Sequence, residues 1–307
     1  ARGGTRVGPA LELAFRLGLI ALVTLAATYG FVHFPQWGAG LKFQLTRAAH
    51  GDGVMYLCGE LSRTGWLHYF VVALAVKLPL GLLFAAAGGA VGAWQARSAA
   101  WLLIPPLAFF AVMSWAKVDL GVRVVLPVVP FVYVVAGRLA AVPLCRLLLV
   151  PTLAWAGYAA WQAAPVPLAY FNEIAGGNGP RYVADSNADW GQGLPALRDW
   201  MNRDGVEVVY LGYFGTDRPE AYGIRFRPLP GYGRVGEPGG EDIPTDARRR
   251  VVVVSLNHLL GLYLNDPDTY APLRGRTPVA VLAGSLVVFD VTDDPEAVRW
   301  VRSLPAR

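Results

Sequence analysis

Residues 69–94 read YFVVALAVKLPLGLLFAAAGGAVGAW, and the interpretation of this stretch decides the fold. It carries Lys77 and Pro79 and is otherwise apolar or aromatic, apart from its glycines and the terminal Trp94. A helix needs roughly 20 mainly apolar residues to cross about 30 Å of hydrocarbon. Lipid offers the backbone no hydrogen-bond partners, so a run of this length reads as a spanning helix. Four further stretches share the character: 11–34 with Arg16, 99–116 with no charge, 122–142 with Arg123 and Arg138, and 147–164. The expectation is a multi-pass α-helical membrane protein with about five transmembrane helices. Pro105 and Pro106 must kink or start the third helix, and Pro127 and Pro130 interrupt the fourth, because proline lacks the donor and clashes with the preceding turn.

Composition divides at the same place as the apolar runs. The 307 residues are 54% hydrophobic and 16% charged, against about 25% charged in an ordinary globular chain. Residues 1–164 hold four acids and twelve Lys or Arg, whereas 165–307 hold 18 acids and 15 Arg. The basic excess therefore belongs to the apolar half and forms no stripe beside a folded surface, which argues against nucleic acid as a partner. Two regions follow: a helical membrane region at 1–164, with an interfacial loop at 35–67, and an α/β domain at 165–307. Short-loop cations are nearly balanced, with Arg2, Arg6, Arg16, Arg97, Arg138 and Arg146 on one side and Lys42, Arg47, Arg63, Lys117 and Arg123 on the other. They slightly favour an N-terminus inside, which puts the C-terminal domain outside the cytoplasm. The start, ARGGTRVGPALELAFRLG, has no small-residue cleavage site and reads as the entry to a membrane helix, with an N-terminal part expected to be missing.

Past Pro165 the pattern changes to that of a small α/β domain. Helices are expected at 194–203 and 294–301, strands at 207–212 and 250–256, a hairpin at 278–291, and a Gly- and Pro-rich loop at 227–246. The polar residues concentrate just before it, at Asn172 and Glu173 and then Asp185, Asn187, Asp189, Trp190 and Gln192. Asp185, Asn187 and Asp189 alternate like the opening of a calcium loop, but Trp190 stands at the glycine position and Ala196 at that of the closing glutamate. A turn held by side-chain-to-backbone bonds or a sugar or headgroup contact centred on Trp190 fits the segment better. No metal or cofactor is implied, because the four histidines lack ligand spacing and no phosphate-binding or nucleophile motif occurs. Lys77 lies well inside an apolar run, and its readings are snorkelling to the interface, contact with a lipid phosphate, or pairing with an acid.

Several blocks in fixed order carry a resemblance: GELSRTGWLHYF (59–70), VKLPL (76–80), DLGVRVVLPVVPF (119–131), LAYFNEIAGG (168–177), YVADSNADWGQGLPAL (182–197) and YLGYFGTDRPEAYGI (210–224). Together they resemble the C-terminal portion of bacterial family-39-type membrane glycosyltransferases. These belong to the GT-C superfamily, with the protein mannosyltransferases and the aminoarabinose transferase of lipid A. The resemblance implies a glycosyltransferase of the bacterial inner membrane, moving a sugar from a polyprenyl-phosphate donor to an extracytoplasmic acceptor. It implies a donor-phosphate cavity lined by Lys77, Arg123 and Glu60, and partners in membrane lipid, the lipid-linked sugar and a further protein segment or subunit. The family's catalytic acid belongs to an external loop that has no match here. Two other readings therefore stand beside it: a non-catalytic membrane subunit on the same scaffold, and a transporter or lipid-handling protein.

Overall fold

The computed structural model describes residues 7–51, 53–93, 99–141, 143–231, 243 and 248–305. The chain forms two compact units, 1–51 and 52–307. The first unit holds helices α1 (Val7–Thr28) and α2 (Phe34–His50), joined by a turn in which Phe31 adopts a left-handed conformation. The window Leu11–Thr28 has a mean hydropathy of 1.8 and no buried residue. At 1.5 Å per residue it is about 27 Å long. Helix α2 takes up the first half of what the sequence presents as a loop at 35–67. Most of the second half forms the hairpin β1 (Met55–Leu57) and β2 (Glu60–Ser62).

The second unit begins its helical part with α3 (Tyr69–Lys77) and α4 (Leu80–Ala93), which meet at a 115° bend. Pro79 supplies the cause: it removes a donor and biases Leu78 to extended backbone, as observed at φ −83° and ψ 141°. Next come α5 (Ala99–Trp115), α6 (Val129–Gly137) and α7 (Leu149–Gln162). A 3-10 stretch at Val122–Val128 leads into α6, because Pro127 and Pro130 remove α-helical donors. Helix α4 packs directly on α6 and α7. A Cβ on Gly89 would overlap the Val135 carbonyl oxygen, and one on Gly81 would lie 2.5 Å from that of Thr152. These helices touch backbone to backbone, and glycine is what permits it.

The rest of the unit is built on a five-stranded mixed sheet. Its strands are β3 (Val209–Gly212), β4 (Phe226–Pro228), β5 (Val251–Ser255), β6 (Ala280–Leu282) and β7 (Leu286–Asp290), in the spatial order β4-β3-β5-β7-β6. The first three are mutually parallel, while β7 runs antiparallel to both β5 and β6. Helices α8 (Leu194–Asp204), α9 (Leu256–Leu259), α10 (Ala271–Arg274) and α11 (Pro295–Ser303) complete it. Val209, Leu211, Val251, Val253, Leu286 and Val288 face Leu197, Trp200 and Met201 of α8. The alternate residues Tyr210, Val252, Val254, Val287 and Phe289 face Tyr270, Leu273, Ala297 and Val301. Strands β3 and β5 are buried on both faces, which explains their unbroken apolar runs. Each valine so buried contributes about 1.5 kcal/mol or more.

The expectation of about five spanning helices is overturned. Among the described residues two helices are long and apolar enough to cross a membrane, Leu11–Thr28 and Val122–Ala140, and a third counts only if the bent pair α3 and α4 is taken as one span. Helix α5 has 17 residues and α7 has 14, about 25 and 21 Å, short of the hydrocarbon core. The multi-span bundle in which a GT-C enzyme holds its lipid-linked donor is therefore absent from the described chain. With it fall the assignment to polyprenyl-phosphate sugar transfer, the subunit and transporter readings set beside it in so far as they need the same multi-pass scaffold, and the placement as a multi-pass protein of the bacterial inner membrane with an extracytoplasmic C-terminal domain. Arg2, Arg6 and Arg97, on which the orientation argument leaned, lie outside the described residues, as does most of 227–246.

Candidate functional site

The polar residues between α7 and α8 form two groups, one inward and one at the surface. The inward group is centred on Asn187, which is almost wholly buried. Its Oδ1 accepts from the Val122 N–H at 2.9 Å, at the start of the helical stretch that leads into α6. Its Nδ2 donates to the Tyr69 hydroxyl at 3.0 Å and to the Ala184 carbonyl at 2.9 Å, and its own carbonyl accepts from Lys77 Nζ at 2.7 Å. Ser186 Oγ donates to the Leu120 carbonyl beside it. One asparagine thus ties the approach to the sheet to both α3 and the start of the α6 stretch.

Lys77 and Asn172 secure the bend between α3 and α4. The last carbonyls of a helix lack partners within it. Asn172 takes three of them: its Nδ2 donates to Ala75 at 2.6 Å and to Leu78 at 2.7 Å, and its backbone N–H donates to Val76 at 2.9 Å. The Lys77 ammonium has three donors. They go to the carbonyls of Leu168 at 2.8 Å, Tyr170 at 2.5 Å and Asn187 at 2.7 Å. The charge also sits 4.2 Å from the centre of the Phe171 ring. Neither snorkelling nor an acidic partner describes this lysine: it is a latch onto carbonyls, and all three donors are in use.

At the surface, Arg123 donates from Nε to the Leu120 carbonyl at 3.0 Å and places its guanidinium 5.0 Å from the Trp190 ring centre. Trp190 is 54% exposed. Its N–H donates to Gln192 Oε1 at 2.8 Å, and Gln192 Nε2 donates back to the Ala188 carbonyl at 2.8 Å. Glu60 is exposed on β2. The structure therefore brings Arg123 and Trp190 together and links Lys77 to the same loop through Asn187, while Glu60 sits on the hairpin.

The alternating acids are committed one by one. Asp185 Oδ1 accepts from the Tyr263 hydroxyl at 2.5 Å, and Asp189 Oδ1 from the Gly191 N–H at 2.9 Å. Asp189 Oδ2 is buried without a donor in good geometry, although the Ser255 hydroxyl lies near enough to temper its isolation. Burial, the dominant cause, raises the carboxyl to about 7, and it raises Asp185 as well. Among the described residues no group of three or more His, Cys, Asp or Glu is arranged to hold a metal ion.

Comparison with family models, with curated proteins and with solved structures finds no match for the chain. The site must be read from its own chemistry.

Two features were missed at the level of sequence. Asn257 is fully buried and donates to the Asp189 carbonyl at 3.2 Å while accepting from the Asp185 N–H at 2.8 Å. Tyr263 supplies the donor to Asp185 from a left-handed backbone position. Neither carries a local signal, because each acts on residues about 70 positions away. The second feature is a cleft of about 500 Å³ beside Asn172 and Glu173, lined also by Tyr158 and Gln162 of α7. Lys77, Arg123 and Glu60 are not among its lining residues.

Proposed function

We propose that the chain is a membrane-anchored binding protein, in which the sheet domain is fixed rigidly to a layer of short helices and presents a cleft for a small polar ligand. The observation that carries this reading is the Leu11–Thr28 window of α1: 18 residues of mean hydropathy 1.8, none of them buried by protein. Side chains such as Phe15, at 72% exposure, and Ile20, at 62%, have no protein cover. Covering an apolar leucine or phenylalanine contributes about 1.5–3 kcal/mol, and lipid is the solvent that covers a whole helix. The clasp of Asn187, Asn172 and Lys77 supports the second part, because buried and fully satisfied polar networks favour one arrangement over many.

The test is extraction of membranes from cells expressing the full chain. The protein is expected to stay with the membrane pellet in alkaline carbonate and to need detergent for release. Recovery in the carbonate supernatant, as a monodisperse species without detergent, would overturn the anchor.

A further inference from the structure

The cleft beside α7 has a composition that selects among ligands. Its volume of about 500 Å³ lies within the ordinary range of small-molecule sites. Among the described residues Glu173 is the one charged residue that lines it. Glu173 Oε1 accepts from the Trp155 indole N–H at 2.7 Å, which orients the carboxylate and leaves Oε2 for a ligand. Tyr170 also lines the cleft, with its hydroxyl buried away from the opening. Tyr158 presents a half-exposed ring and pairs with Trp161 at 6.1 Å. The Phe171 ring is already engaged on its faces, by Lys77 and by the close approach of Gly179.

An unneutralised carboxylate among aromatic walls repels phosphate and sulfate. A neutral sugar could donate hydroxyls to that carboxylate but would leave its charge unbalanced. An organic cation gains from both the carboxylate and the ring faces. We infer that the cleft binds an organic ammonium group, with Glu173 as its counter-charge and Tyr158 as an aromatic wall. The free carboxylate oxygen favours a primary ammonium, which brings N–H donors, over a quaternary one, which brings none. Trp161 stands on the exposed side of α7 at 75% exposure, and such a side chain settles at the membrane–water boundary. The source of the amine is then a lipid headgroup or a free amine; the headgroup source rests on the anchored reading above.

The experiment titrates the full chain in a polyoxyethylene detergent with ethanolamine, tetramethylammonium, inorganic phosphate and maltose, followed by calorimetry and tryptophan fluorescence. Ethanolamine is expected to bind more tightly than tetramethylammonium, with no binding of phosphate or maltose. Glu173→Gln is expected to weaken ethanolamine binding about tenfold or more, Tyr158→Ala to weaken it less, and both to keep the thermal midpoint of the parent. The titration is repeated in nanodiscs of phosphatidylethanolamine and of phosphatidylcholine, which carry the same net charge. A weaker apparent affinity in the phosphatidylethanolamine discs assigns the cleft to the headgroup, and equal curves assign it to a free amine. Unchanged ethanolamine binding in Glu173→Gln, or a preference for phosphate or maltose, overturns the inference. Protein that leaves the membrane in carbonate yet still binds ethanolamine through Glu173 keeps the cleft and loses the anchor.

Discussion

Asn187 shows how much of this fold depends on single polar side chains. Its carboxamide and carbonyl satisfy groups from α3, from the start of the α6 stretch and from its own loop. Asn187→Ala leaves the Val122 N–H and the Tyr69 hydroxyl without these partners in a buried setting, at about 1–3 kcal/mol for each orphaned group. A fall of about 2–5 kcal/mol in unfolding free energy is expected, read from denaturant titration in detergent. Asn187→Asp is expected to fare no better, because it buries a charge and sets a carboxylate oxygen against the Ala184 carbonyl, even where the Tyr69 hydroxyl turns to donate. Lys77→Met keeps most of the apolar stem but abandons three carbonyls, so it is expected to destabilise by a similar amount. A mutant with parental stability at either position would show that the clasp is dispensable. The sequence marked Asn187 and Lys77 as unusual, but it could not show that they meet: 110 positions separate them.

Among the helices, length was harder to read than apolarity. The strands expected at 207–212 and 250–256 form at Val209–Gly212 and Val251–Ser255, because an unbroken valine run buried on both faces has few alternatives. The apolar stretches 69–94 and 147–164 looked like single spans because composition does not record a bend. Pro79 turns the first through 115°. The second starts as 3-10 helix at Pro143–Leu148 and keeps only 14 α-helical residues. Helix α2 lies where the sequence suggests a loop, because its glycines and charges mask a modest helical pattern in 34–50. The close packing of α4 on α6 was equally hidden. It rests on Gly89, whose added Cβ would meet a backbone oxygen that cannot rotate away. Gly89→Val is therefore expected to force the two helices apart and to cost about 1–3 kcal/mol. Gly18→Val in α1, where an added Cβ would meet nothing within 4 Å, serves as the control and is expected to be near neutral. Equal thermal midpoints for the two variants would refute this account of the contact.

For the whole molecule, the buried ionisable groups make stability depend on pH in an unusual direction. Burial raises Asp189 to about 7 and Asp119 to about 6 in the folded protein, well above the roughly 3.9 of an unfolded chain. Between those values the folded state holds protons that the unfolded state has released, so stability falls as pH rises from about 4 to about 7 and is level above that. Asp185 acts in the same sense. His258 opposes them: burial lowers it to about 4, so between about 4 and 6.5 the unfolded chain binds a proton that the folded chain refuses. Asp290 and Asp294 are lowered and lose their contribution only in more acidic solution. The carboxyl groups outnumber the histidine, and the net expectation is a thermal midpoint higher near pH 5 than near pH 7.5. Asp189→Asn separates the terms. The amide oxygen can still accept from the Gly191 N–H, and the group no longer ionises. This variant is expected to gain about 1–3 kcal/mol on the parent at pH 7.5 and much less at pH 4.5. Calorimetric melts of parent and variant at the two pH values decide it. An identical pH profile for both would mean that Asp189 is not the buried carboxyl that sets the slope.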